Sequence, residues 1–149
     1  MSINNNMSIN DNMSISKYID FTQIVCQKYR ILLFEVGDTY PTNLQWKFAV
    51  EEFKTNLDSL NELNVPFAFI MDFKKMCLIP TEYILEFINL LKSYCDILEG
   101  KLIATSVIYE GILISKLFEI IKYFYKTKKP LEFVTDMNKA VEFIDLNLT

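Results

Sequence analysis

No histidine occurs anywhere in the 149 residues of this chain. That absence removes the usual general base near neutral pH, the Ser-His and Cys-His nucleophile pairs, and the commonest zinc ligand. Arginine is almost missing as well: of fifteen basic residues only Arg30 is an arginine, so bidentate phosphate forks are scarce. With a net charge of −4 and a pI near 4.9, the chain lacks the surplus of cations that a nucleic-acid backbone demands, and no nucleic-acid partner is expected. There is no glycine-rich phosphate loop and no set of metal-spaced ligands, so no cofactor or metal is expected. The three cysteines, Cys26, Cys77 and Cys95, are odd in number and lack CxxC pairing, which suits a reducing compartment such as the cytoplasm. Apolar runs of membrane-spanning length are also lacking. The N-terminus is polar, unlike a secretory leader, and Leu102 to Tyr125 is broken by Glu110, Lys116, Glu119 and Lys122, which argues against stable membrane insertion.

What the chain does have is apolar side chains. They make up 51% of it and include twelve Phe and eight Tyr, far more than a disordered chain carries. A domain of this length buries roughly 70% of its unfolded surface and needs no staple. Residues 1–16 stand apart: MSINNN, MSINDN and MSIS repeat a hexad rich in Asn and Ser, without the apolar period that buries a face. They are read as a flexible tail, followed by one domain over 17–149.

The domain alternates strands and helices. Ile19, Phe21 and Val25 alternate with polar residues, as in a strand with one buried face. Ile31 to Val36 follows after a short break, so the two strands predict a hairpin, ended by Gly37-Asp38. Thr42 and Gln45 then match the capping box that opens a helix, and Trp46, Ala49, Val50, Phe53, Leu57 and Leu60 recur at helical spacing to about Leu63. Asn64-Val65-Pro66 stops it. Pro66 to Phe73 is nearly all apolar, as expected of a strand covered on both faces.

A loop from Lys74 to Pro80 leads to a second helix, Thr81 to Leu98, with Gly100 placed as a left-handed cap. Leu102 to Tyr109 predicts a fourth strand and Gly111 to Lys126 a third helix, ended by Pro130. Lys126, Lys128 and Lys129 complement its dipole. Leu131 to Val134 is a last strand, and Asp136 opens a final helix carrying Ala140, Val141, Phe143 and Ile144. The order ββαβαβαβα implies parallel pairing through right-handed crossovers, with only the first strand antiparallel.

This arrangement resembles the STAS/SpoIIAA-like superfamily. The resemblance rests on the initial hairpin, the strand ending in Asp72 with its loop and helix, and "ATSVIYEG" before another helix. The closing "KPLEFVTDMNKAVEFI" is similar to the end of an uncharacterised bacterial branch. The resemblance covers about residues 18–146. It implies an α/β fold, a SpoIIAA-like β-α superhelix with a mostly parallel sheet, an antiparallel first strand and helices mainly on one face. It also implies a function exercised by binding a partner protein rather than by catalysis. A wider similarity to CRAL-TRIO lipid-transfer cores implies a ligand against the sheet. Signalling members carry a phosphorylatable Ser or Thr in a D-x-S-G-like turn after the third strand. Here that turn reads Asp72-Phe-Lys-Lys-Met-Cys77, with neither hydroxyl nor glycine. Thr81 lies further on, where its plain role is a helix cap.

Candidate sites follow from these positions. Asp38 and Asp72 end strands, where open α/β sheets collect ligands, although each can simply bond nearby amides. Cys77 precedes a helix close to Lys74 and Lys75, a setting that can activate a thiol. The lysines from Lys122 to Lys129 could meet an anionic membrane surface. On the second helix Ile84, Phe87, Ile88, Leu91, Cys95 and Leu98 form one stripe, leaving Tyr83, Leu90, Tyr94 and Ile97 on other faces. On the third, Phe118 and Tyr123 lie beside the stripe of Leu113, Leu117, Ile121 and Phe124. A surface helix keeps its outer face polar unless something covers it. The expectation is therefore a protein-interaction or scaffold module that binds a protein partner or self-associates through these two helices and the Asp72–Thr81 loop. The alternative is a carrier of a lipid or other apolar ligand, which needs an enclosed cavity of several hundred Å³. An enzyme would need Asp38, Asp72 and Lys74 in one cleft.

Overall fold

The computed structural model describes residues 16–77, 79–111, 116, 117, 119 and 129–148. The predicted tail up to residue 15 and most of the predicted third helix, Phe118 and Tyr123 included, lie outside the described residues. Lys116, Leu117 and Glu119 are helical, as the spacing there predicts.

Five strands form one sheet in the order β1-β2-β3-β4-β5. The hairpin of β1 (Ile19–Val25) and β2 (Arg30–Val36) is antiparallel, running in register from Ile19 opposite Val36 to Val25 opposite Arg30. From β2 onward β3 (Phe67–Asp72), β4 (Leu102–Ile108) and β5 (Leu131–Val134) are parallel. Each parallel strand lies beside its predecessor, so right-handed crossovers put the connecting helices on the same face. α1 (Asn43–Leu63) joins β2 to β3, while α2 (Thr81–Ser93) and α3 (Cys95–Lys101) join β3 to β4. α4 (Met137–Leu146) follows β5 and packs on the other face.

The pleat separates two cores. Leu32, Phe34, Phe67, Phe69, Met71 and Val107 face α1–α3 and meet Trp46, Phe53, Leu57, Leu60, Leu91 and Leu98. Ile31, Leu33, Ala68, Ile70, Ala104 and Ile108 face α4 and meet Ala140 and Ile144. Small Ala68, Ala104 and Ala140 let α4 approach closely, and the buried Ser106 hydroxyl donates to the Ala140 carbonyl at 2.8 Å. The second sheet face, where the CRAL-TRIO similarity implies a ligand, is covered across β3 and β4 by the chain's own last helix. Toward β1 it is polar, with Asp20, Thr22 and Glu35 exposed.

Local signals hold where backbone chemistry dictates them. Thr42 and Gln45 exchange both bonds of the capping box, at 3.0 and 2.9 Å. Asn64 closes α1 in the left-handed conformation, φ 56°, which Asn tolerates better than other non-glycine residues. Three expectations are corrected. The second helix breaks at Tyr94, φ −104° and ψ 17°, into α2 and α3. Gly100 lies inside α3 rather than capping it in the left-handed region, and α3 runs directly into β4. Thr81 is the first residue of α2, not its cap: Pro80 holds the cap position and no side chain bonds the helix end. Val25 is also exposed, because the last residue of an edge strand extends past the helices that cover its neighbours.

Candidate functional site

α1 and α2 are joined by aromatic rings. Phe53 is the centre, with ring centroids 5.6 Å from Phe34, 5.5 Å from Phe87 and 6.4 Å from Tyr94. Tyr83 stacks on Trp46 at 4.7 Å with planes 8° apart, and its hydroxyl bonds the Asn43 side chain. The Trp46 Nε1–H donates to Glu86 Oε1 at 3.0 Å, and the Tyr94 hydroxyl donates to Asp58 Oδ1 at 3.2 Å. Burial, then the Asp58 carboxylate, pushes the Tyr94 phenol up.

These contacts decide the fate of the predicted surface residues. Leu90 is only 9% exposed and belongs to the core. Tyr83, Tyr94 and Ile97 are half-buried and pack against that core. They are spent on the α1–α2 seam, because a helix lying beside another needs a second apolar face. Cys95, predicted on the buried stripe, is exposed instead, since the break at Tyr94 shifts the register.

The Asp72–Thr81 loop lies at the C-terminal end of β3. Asp72 accepts from the Lys74 N–H at 3.1 Å and its other oxygen lies 3.9 Å from Lys74 Nζ, so this carboxylate anchors its own turn. Phe73 is buried, Lys74, Lys75 and Thr81 are exposed, and Cys77 is half-buried. Asp38 is exposed at the end of β2. Among the described residues no group of three or more Cys, Asp or Glu could hold a metal, and no helix is long and apolar enough to cross a membrane.

A surface missed in the sequence emerges at the same end of the sheet. Tyr40, Leu44 and Phe48 are 61%, 58% and 44% exposed. Leu44 and Phe48, four residues apart, share the outward face of α1, opposite Trp46, Phe53 and Leu57. Lys17 sits over the Phe48 ring, 5.6 Å from its centroid. The signal was present as the i, i+4 spacing of Leu44 and Phe48. The stronger stripe from Trp46 to Leu60 overshadowed it.

The described residues border hollows at both ends of the sheet. One, between the sheet and α1–α2, has an apolar wall that includes Phe21, Phe34, Trp46 and Phe53 and a volume of about 60 Å³. Tyr18 also lines it, and the Tyr18 hydroxyl is buried without a hydrogen-bond partner. Burial raises that phenol far above its usual range, with the Cys77 thiol adding to the effect. The other is an open cleft of about 600 Å³ at the opposite end of the sheet, bordered by Lys28, Lys101 and Lys129. Neither is lined by Asp38, Asp72 or Lys74.

No family model and no curated protein matches the sequence. Among solved structures the chain is similar to an uncharacterised protein of the DUF3478 family with a SpoIIAA-like fold from Shewanella loihica PV-4. The two share 13% identity and a TM-score of 0.64, over 97% of this chain and 98% of that one. Likeness at that identity establishes the fold, which is SpoIIAA-like with the strand order and orientations described above.

Proposed function

We propose that this protein is a non-catalytic interaction module that binds another protein, or a second copy of itself, at the C-terminal edge of its parallel strands. The observation that carries this reading is the exposed row of Tyr40, Leu44 and Phe48 at the edge that also presents the Asp72–Thr81 loop. Large apolar side chains held out on a rigid helix are the kind that anchor protein interfaces. Exposed Lys74, Lys75 and Thr81 supply a polar rim nearby, as interfaces have. The α1–α2 seam holds both parts on one rigid unit, through the Asn43–Tyr83 bond and the Trp46–Tyr83 stack.

Protein is favoured over lipid by volume. The apolar hollow of about 60 Å³ is far below the roughly 300–1,000 Å³ of sites that enclose a ligand. Acid-base catalysis is disfavoured because Asp72 is committed to its own turn. The three free thiols fit a reducing compartment such as the cytoplasm.

Capture of partners with the full chain tests the reading, comparing wild type with Leu44→Glu/Phe48→Glu, alongside mass in solution by light scattering. The variant should fold normally, since both side chains face solvent, and should lose the partner or revert to a monomer. Equal recovery and equal mass for the two proteins would refute the proposed edge.

A further inference from the structure

Ahead of β1 the chain is pinned beside the exposed row on α1. The Ser16 carbonyl accepts from Gln45 Nε2 at 2.7 Å, and Gln45 is the residue next to Leu44. Lys17 then reaches Glu52 at 3.1 Å, its ammonium 5.6 Å from the centre of the Phe48 ring. Two consecutive residues are thus fixed against the first turns of α1, next to Leu44 and Phe48, which stand 58% and 44% exposed.

The fifteen residues before Ser16 carry a repeated pair. Met1 and Ile3, Met7 and Ile9, and Met13 and Ile15 stand two positions apart, each pair set among Asn and Ser. Side chains two apart lie on one side of an extended chain, about 6–7 Å from each other. Leu44 and Phe48, four apart on a helix, are separated by about 6 Å along its axis. The two pairs match in spacing as they do in apolar character. Methionine suits the Phe48 ring further, since a thioether packs well at an aromatic edge. Reach is no obstacle, because the three residues from Met13 to Ser16 span at most about 10–11 Å. A group tethered so closely is present at an effective concentration on the order of mM, so a contact too weak for a free peptide suffices.

We infer that Met13 and Ile15 seat on Leu44 and Phe48, so that the chain's own N-terminal segment covers the row and competes for it with an outside partner. The competition rests on the reading that this edge binds protein. The seating does not, and the two are measured separately.

NMR of the full chain, carbon-13-labelled at the methionine ε-methyl groups, tests the seating with no partner present. The Met13 methyl should cross-relax with Phe48 ring protons and lie away from its free-peptide position. Leu44→Glu/Phe48→Glu should return it to that position, while the methyl of Met71, which is buried in the core, stays in place. Should the charged variant fail to fold, Met13→Ser/Ile15→Ser reads the same contact from the other side, by shifting the Leu44 and Phe48 amides. The seating is overturned if the Met13 methyl sits at its free-peptide position without cross-relaxation to α1. It is equally overturned if neither variant moves the opposing signals. For the competition, Met13→Ser/Ile15→Ser should bind partners at least about threefold more tightly, the gain when a site covered about two-thirds of the time is freed. Equal binding beside an observed seating would overturn the competition and, with it, the reading of this row as a protein-binding edge.

Discussion

Phe53→Ala is the substitution that tests the packing most directly. Phe53 is 1% exposed and its ring contacts Phe21, Phe34, Phe69, Phe87 and Tyr94. Through it β1, β2, β3, α1 and α2 all touch. Removing it forfeits about 2–3 kcal/mol of apolar transfer. A residual void of about 100 Å³ at ~24 cal/mol per Å³ adds about 2 kcal/mol. Collapse is a poor remedy here, because Phe53 already borders the hollow of about 60 Å³ and the surrounding rings belong to rigid elements. The expected loss is about 4–5 kcal/mol, at the upper end of measured Phe→Ala costs, against a total stability of about 5–15 kcal/mol for a domain. Urea unfolding with the slope fitted separately measures it. Thermal unfolding should fall by about 8–20 °C, at ~2–4 °C per kcal/mol for a chain of this size. Phe53→Leu should lose only about 1–2 kcal/mol, mainly its ring contacts. A Phe53→Ala loss below about 2 kcal/mol with an unchanged slope would refute the view that one aromatic cluster holds the helical layer to the sheet.

Gly100→Ala should raise stability by about 0.5–1 kcal/mol in the same assay, because glycine inside a helix costs that much and an added Cβ at Gly100 meets nothing within 4 Å. A loss of stability would mean that α3 does not continue through this residue. Asp136→Ala should cost about 1 kcal/mol, since the Asp136 carboxylate caps α4 by accepting from the Lys139 N–H at 2.8 Å, whereas Asp136→Asn should retain most of that bond. Stability should be level from pH 7 to 9 and fall above pH 10. Burial holds Tyr18 protonated in the folded chain, and burial with the Asp145 bond does the same for Tyr29, while in the unfolded chain both ionise near pH 10. The unfolded state then binds fewer protons, so unfolding becomes easier by up to about 1.4 kcal/mol per pH unit for Tyr18. Tyr18→Phe should flatten that slope in unfolding curves recorded across pH, and an identical slope would count against the buried hydroxyl.

Element identity was legible in the sequence because it depends on neighbours along the chain. Capping bonds between Thr42 and Gln45, the left-handed turn at Asn64, and the opening of α4 by Asp136 are all completed within a few residues. The all-apolar strand before Asp72 announces burial on both sides, and the structure covers both. Strand orientation followed as well, since strands joined through helices pair in parallel. What periodicity could not supply was the identity of the covering element. Leu90, Tyr94 and Tyr83 read as surplus on a lone helix, yet α1 lies beside that helix and hides them. Leu44 and Phe48 lie off the stripe from Trp46 to Leu60 and, with Tyr40 ahead of the helix, are left outside.

By itself, then, the sequence determined the order of elements, the hairpin followed by parallel strands, and the absence of histidine-based chemistry. The tertiary structure alone decided which apolar side chains are buried and that α4 covers the second face across β3 and β4. The reason is range. Backbone capping and pleat act over a few residues, whereas burial depends on contacts between residues far apart in the chain, such as Tyr29 and Asp145, whose side chains hydrogen-bond across 116 positions.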